Sequence, residues 1–213
     1  MKKGRLRIES LARRHVKDVA RLHVMGLTRE FSGWAGRSIM GLFYKELMMT
    51  REPPPGFVAL LDDRVVGFAV AVEDAAAVKR RVVVRWGWWL AVLGVAQLIT
   101  RPQALMQRFW RRLNQIPVQR LATARRDALE VYCPAPRIEF RGIVVDPSAH
   151  VPGVALALMQ ARLAWAKAAG YKSIYFQIEP NNEHSIKLCQ WAGARPMPED
   201  VPQQRLIFYK VLA

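Results

Sequence analysis

The stretch Arg137–Ala169, RIEFRGIVVDPSAHVPGVALALMQARLAWAKAA, decides how this chain is read. A short apolar strand runs into Asp146-Pro147. A compact turn holding His150, Pro152 and Gly153 follows, and then an Ala/Leu-rich helix that stops at Gly170. Gly suits the residue just past a helix end because it adopts the left-handed conformation without a Cβ penalty. A strand, a tight turn and a helix N-terminus form an anion-binding arrangement: free backbone N–H groups converge there and the helix dipole favours negative charge.

The totals set the context. At 213 residues and 52% hydrophobic composition the chain can bury a real core, which excludes wholesale disorder. The net charge of +16 points to anionic partners, such as a phosphorylated cofactor, an acidic carrier or anionic lipid, or simply to a basic solvated surface. Cys133 and Cys189 provide neither metal-ligand spacing nor a disulfide framework, so a reducing compartment is the default. Met1-Lys2-Lys3 leads into polar sequence with no secretory signal. The expected location is the cytoplasm, with association at the inner face of a membrane as a further option.

Taken in order, residues 5–9 alternate like a short strand, and Val16, Val19, Ala20, Leu22 and Val24 fall at helical spacing. Gly33 and Gly36 interrupt the pattern. Ser38–Met49 then reads as a second helix, stopped by Pro53-Pro54-Pro55-Gly56. Phe57–Leu61 and Val65–Val72, separated by turn-forming aspartates, predict an antiparallel hairpin. After Asp74 the composition changes. Lys79–Arg126 holds eleven Lys or Arg residues, no Asp or Glu, and Trp86, Trp88, Trp89 and Trp110. Its apolar run Val82–Ile99 is short for a membrane span and contains Arg85 and Gln97. Basic residues beside Trp and Leu are the composition of an interfacial helix, and equally of a helical insertion packed on the core. Lys172–Ile178, Glu183–Ala192 and Arg205–Leu212 read as strand, helix and strand.

Two motifs in this half resemble the GNAT superfamily of acyl-CoA-dependent N-acyltransferases. The first is Val145-Asp146-Pro147 followed by His150-Val151-Pro152-Gly153-Val154-Ala155, similar to Val-x-Pro and Gln/Arg-x-x-Gly-x-Gly/Ala entering a helix. The second places Asn182, Ser185, Leu188, Cys189, Gly193 and Ala194 in register with the family's downstream Asn…Gly pattern. The resemblance implies an α+β fold over 1–213: a mixed, mostly antiparallel sheet with a splayed central strand, helices on both faces, and a basic helical insertion at 75–130. It implies acetyl-CoA as co-substrate. Ile143, Val144 and Val145 would pair with the pantetheine arm. His150, Val151, Gly153, Val154 and Ala155 would cradle the pyrophosphate, and Asn182 and Ser185 would complete the cofactor site. Departures are His150 in place of Arg or Gln, and Pro152, which lacks an N–H.

Glu139, eleven positions before His150, matches the general-base offset of some family members. By simple alternation it shares a face with Arg137, Arg141 and Ile143. The competing reading is an ion pair with Arg137 or Arg141. Cys189 occupies the position of the family's thiolate-protonating tyrosine; a buried packing cysteine is the alternative, with His184 and Tyr209 as other candidate acids. The acceptor region of the family corresponds to Arg29–Trp34, where Phe31 and Trp34 could stack on a sugar. That layout is loosely similar to GNATs of bacterial surface-glycan pathways.

The expected activity is acetyl transfer to a primary amine of a small molecule, an amino sugar among the candidates, by direct attack in a ternary complex. A longer acyl-CoA or acyl-carrier-protein donor, and a degenerate membrane- or protein-binding domain, stand as alternatives. Residues 79–126 would make any membrane or carrier contact, and a homodimer is a further option. Nucleic acid is disfavoured, because the basic segment is too hydrophobic for a phosphate-tracking surface.

Overall fold

The computed structural model describes residues 5–26, 34–100, 127–198 and 205–212. Seven strands form one sheet in the order β1-β2-β3-β4-β5-β7-β6. The N-terminal half comprises β1 (Leu6–Ser10), β2 (Gly56–Leu61) and β3 (Arg64–Val72), all antiparallel, with α1 (Val16–Gly26) and α2 (Trp34–Met48) between the first two strands. The hairpin turns through Asp62 and Asp63, both at positive φ (47° and 66°). Two left-handed residues give the turn whose twist matches a hairpin, and short polar side chains tolerate that conformation.

α3 (Ala75–Thr100) follows the hairpin, and a helical segment, α4 (127–132), precedes β4 (Arg137–Val145). The remainder is α5 (Val154–Ala168), β5 (Ser173–Ile178), α6 (Glu183–Trp191), the two-residue β6 (Arg195–Pro196) and β7 (Leu206–Val211). α5 connects the parallel pair β4–β5; every other pairing in the sheet is antiparallel.

Both faces of the sheet are covered. On one, Val19 and Leu22 of α1 and Tyr44 and Leu47 of α2 pack against Val58, Phe68 and Val70; farther along, Leu129 and Cys133 cover Ile207 and Tyr175. On the other, Met159, Trp165 and Ala166 of α5 and Cys189 of α6 bury Ile138, Phe140, Ile174 and Phe176. The five apolar residues that predict α1 are all buried. α2 begins at Trp34, four residues before its expected start. Gly36 lies buried within the helix, where packing outweighs the weak intrinsic preference of glycine.

α3 carries apolar residues on both its buried and its exposed sides, with Lys79, Arg80, Arg81 and Arg85 exposed in its first half. Val78, Val82 and Leu93 are buried, and the Trp86 indole N–H donates to buried Glu46 Oε1 of α2 at 3.0 Å. Val84 (81% exposed), Trp88 (67%), Val92 and Val95 face outward. Among the described residues no helix is long and apolar enough to cross a membrane. Arg108, Trp110 and the rest of 101–126 lie outside the described residues.

Candidate active site

β4 pairs with β3 along its length, from Val72↔Glu139 to Gly67↔Val145, but with β5 only at Arg137↔Ser173, Ile138↔Ile174 and Glu139↔Tyr175. Past Glu139 the two parallel strands separate. The edge of β4 over Phe140–Val145 therefore has unpaired backbone facing a wedge-shaped cleft. A strand edge without a partner offers its N–H and C=O groups to another extended chain.

A β-bulge sharpens this geometry. Val70 opposes Arg141 and Ala69 opposes Ile143, so Gly142 is the extra residue. One inserted residue reverses side-chain alternation. Glu139 and Arg141 face the α1/α2 side, whereas Ile143 packs with Ala69 on the α5 side. The expectation that Ile143 shares a face with Glu139 is thus corrected: alternation holds only up to the bulge. Val144 turns back to the α1 side, where its Cγ1 lies 2.6 Å from a Cβ built on Gly26; a side chain there would drive the end of α1 off the strand.

Arg162 holds the bulge from the other face. It projects from α5, is 2% exposed, and its Nη1 donates to Val70 O at 3.0 Å and Arg141 O at 2.8 Å. Its guanidinium lies over Phe140, 4.3 Å from the ring centroid. No carboxylate pairs with it among the described residues. Burial pulls its proton affinity down to about 9, which leaves it cationic at neutral pH. Its Nε is buried without a partner. Sequence reading passed over this residue, although an arginine at helical spacing between buried Leu158 and Ala166 was a visible signal.

Beyond β4, Asp146 organises the turn. Its Oδ1 accepts from the Ser148 amide (3.0 Å) and hydroxyl (2.6 Å), and its Oδ2 from Arg64 (3.2 Å). The Ser148 hydrogen bond is the main cause holding this carboxyl below its usual range. His150 is left-handed (φ 47°), with Nδ1 2.9 Å from Ser148 O, and Gly153 caps α5 at φ 81°. The amides of Val151, Gly153, Val154 and Ala155 donate to no group among the described residues. A Cβ on Gly153 would meet no protein atom within 4 Å; it would project into open space beside those amides. Free donors, a helix N-terminus and a glycine that keeps the approach open fit a pyrophosphate.

The other predicted cofactor residues divide. Asn182 caps α6, its Oδ1 accepting from the Ser185 amide at 3.1 Å, so both serve the helix start. Cys189 is buried beside Phe140 and Phe176, and burial raises its thiol to about 12. His184 is exposed, and the Tyr209 ring lies 5.5 Å from that of Tyr132. Phe31 lies outside the described residues; Trp34 opens α2, with its side chain outside the described set.

Glu139 is buried on the cleft floor. Its Oε1 accepts from Arg141 Nε and Gln177 Nε2, both at 3.0 Å, while Oε2 has no hydrogen bond among the described residues. Arg137 turns away to the carbonyls of Leu129 and Cys133. Above the floor, His23 of α1 and buried Tyr44 of α2 share a 2.6 Å hydrogen bond, and His23 stacks on Phe68. Burial first, and the Arg141 charge second, lower the His23 ring to about 4, so it is neutral at pH 7. Gln177, His23 and Tyr44 meet only through the fold; nothing in their spacing announces them.

A splayed parallel pair, an open turn at the N-terminus of α5 and a buried carboxylate coincide with a family-level match: residues 26–194 match the model of the acetyltransferase (GNAT) family. The chain belongs to the GNAT acetyltransferase family. Members of this family use acetyl-CoA, and the free β4 edge and turn amides are the groups that would hold it. No curated protein matches this chain. Solved structures share its fold at low identity. PH1933 from Pyrococcus horikoshii OT3 is 14% identical, with a TM-score of 0.59, covering 98% of this chain and 99% of that one. An N-acetyltransferase from Staphylococcus aureus Mu50 is 17% identical (TM-score 0.55; 98% and 99% covered). The protein yncA from Salmonella typhimurium, solved with its cofactor acetyl-CoA, is 11% identical (TM-score 0.53; 98% and 94%).

Proposed function

We propose that this GNAT protein transfers an acetyl group from acetyl-CoA to a primary amine of a small molecule by direct attack in a ternary complex. The observation that carries this reading is Glu139: a buried carboxylate at the point where β4 and β5 part, with one oxygen anchored and the other free. Anchoring Oε1 fixes the carboxylate, and Oε2 accepts the proton of the incoming ammonium, directly or through one water. Acetyl-CoA supplies the activated thioester. The unpaired β4 backbone beyond Glu139 positions that thioester and offers N–H groups to its carbonyl oxygen. As the N–C bond forms and the C–S bond breaks, the electron pair leaves with sulfur. Cys189 is a poor source of the proton that sulfur then takes, because its thiol holds its own proton up to about 12.

An amino sugar linked to a nucleotide remains within the acceptor class, on the strength of Phe31 and Trp34. The experiment is calorimetry with acetyl-CoA, followed by acetyl transfer to an amine panel by wild type and Glu139→Gln. Binding, transfer and a kcat loss of about a hundredfold or more in the variant are expected. Transfer at an undiminished rate by the variant removes Glu139 from the base role.

The exposed face of α3 favours a second, compatible reading. Val84, Trp88, Val92 and Val95 present an apolar stripe flanked by exposed Arg80, Arg81 and Arg85. This composition suits peripheral contact with an anionic lipid surface, at the inner face of the membrane for a cytoplasmic enzyme. Flotation with anionic vesicles, lost in Val84→Asp/Trp88→Asp and with neutral vesicles, is the expected result. Equal flotation of the double variant would discard this reading.

A further inference from the structure

Arg141 has hydrogen-bonding capacity that the proposed chemistry leaves unused. Its Nε is engaged by Glu139, but Nη1 and Nη2 donate to nothing among the described residues, and its side chain is 37% exposed. It precedes the bulge, so ordinary alternation places it with Glu139 on the α1/α2 face of β4, opposite Val70. His23 and Tyr44, on the helices that cover this face, both feel its charge. His23 and Tyr44 are both uncharged at neutral pH and cannot answer the guanidinium. Glu139 answers it through one nitrogen only.

The consequence for the acceptor is electrostatic. A bare ammonium approaching Glu139 meets a carboxylate already matched by a cation a hydrogen bond away, so its net attraction is weak. An acceptor that also carries an anionic oxygen group satisfies both charges. The planar fork of arginine, with its Nη1–Nη2 edge available, pairs with carboxylate or phosphate in bidentate fashion, which lysine or a neutral donor cannot reproduce. Because Glu139 and Arg141 are in direct contact, the two groups of the acceptor must lie only a few bonds apart. We infer that the acceptor is an amine bearing an oxyanion, a carboxylate or phosphate close to the reactive nitrogen, and that Arg141 is the specificity-determining residue that binds it. This inference rests on the N-acetyltransfer reading and narrows its substrate class.

The test compares β-alanine, 2-aminoethylphosphonate and propylamine as acceptors with wild type, Arg141→Gln and Arg141→Lys. In wild type, kcat/KM for at least one of the two anionic amines exceeds that for propylamine by about ten- to a hundredfold, carried mainly in KM, the value of a hydrogen-bonded pair between charged groups. The better of the two identifies carboxylate or phosphate as the natural group. In Arg141→Gln the ratio collapses towards one, and Arg141→Lys keeps part of it. A wild-type ratio of one, or equal losses for all three amines in Arg141→Gln, overturns the inference. A second readout needs no turnover: calorimetry of N-acetyl-β-alanine and N-acetyl-2-aminoethylphosphonate with the CoA-loaded protein. Binding by wild type and loss in Arg141→Gln supports the anion subsite even where no amine is acetylated, in which case the transfer reading alone fails. Failure of wild type to bind either product overturns the subsite itself.

Discussion

Replacing Arg162 by methionine separates the stability of this fold from the geometry of its cleft. The change removes two hydrogen bonds from a cation to Val70 O and Arg141 O. Leaving two buried carbonyls without these donors costs about 2–6 kcal/mol in all. Losing the cation over Phe140 adds about 2 kcal/mol. Against this, burial holds the guanidinium at about 9 rather than 12.5. That gap corresponds to about 5 kcal/mol of desolvation, at about 1.4 kcal/mol per tenfold in proton affinity, and methionine escapes it while filling most of the volume. The two sides nearly cancel, so stability should stay within about 3 kcal/mol of wild type by urea denaturation. The bulge, however, loses its clamp. Acetyl-CoA affinity should fall tenfold or more by calorimetry, and hydrogen exchange at the Gly142 and Ile143 amides should quicken. Arg162→Lys should be less stable than Arg162→Met, since it retains a buried cation without spanning both carbonyls. Wild-type acetyl-CoA affinity with unchanged exchange in Arg162→Met would refute the clamp, and a stability loss far beyond 3 kcal/mol would refute the cancellation.

Three further outcomes are expected. Gly153→Ala meets no protein atom but forces a Cβ onto φ 81°; it should cost about 1–2 kcal/mol of stability and weaken acetyl-CoA binding by more than that, as read by melting and calorimetry together. Cys189→Ala should leave kcat within about twofold, since a thiol raised to about 12 is a weak acid; a hundredfold loss would restore the acid role. His23 binds its proton less tightly folded (about 4) than unfolded (about 6.5). The unfolded chain therefore takes up more protons as pH falls through that window, and stability drops by about 3 kcal/mol between roughly pH 6.5 and 4. His23→Gln should flatten that part of the pH–stability profile, and an unchanged slope would show that other groups produce it.

The parts of the chain legible in advance were those governed by local rules. Helical spacing gave α1, two turn-forming aspartates gave the hairpin, and the strand–turn–helix at Arg137–Ala169 gave β4, its turn and α5. Of the two readings of Glu139, the ion pair forms with Arg141 and not with Arg137, and the second oxygen has no hydrogen bond among the described residues, which leaves the base role as a proposal. What escaped is non-local. Nothing in RIEFRGIVV marks Gly142 as the inserted residue, because a bulge is defined by the partner strand; hence Ile143 was assigned to the wrong face. Gln177 reaches Glu139 only across the parallel pair, and His23 meets Tyr44 only where α1 packs on α2. The early start of α2 went unseen because Gly36 reads as a breaker until its burial is known.

The three residue pairs that join β4 to β5 also bear on the order of events in turnover. Glu139 forms the last of these pairs, so the proposed base stands where the two halves of the sheet part. A ligand lodged in the wedge contributes the rungs that the ladder lacks beyond that point and limits opening about it. In the proposed reaction the amine meets a carboxylate already fixed by Arg141 and Gln177, and a filled wedge sets the separation of β4 and β5 around it. The kinetic signature expected of the proposed reaction is sequential addition, acetyl-CoA before amine, with CoA leaving last, as read by product-inhibition kinetics.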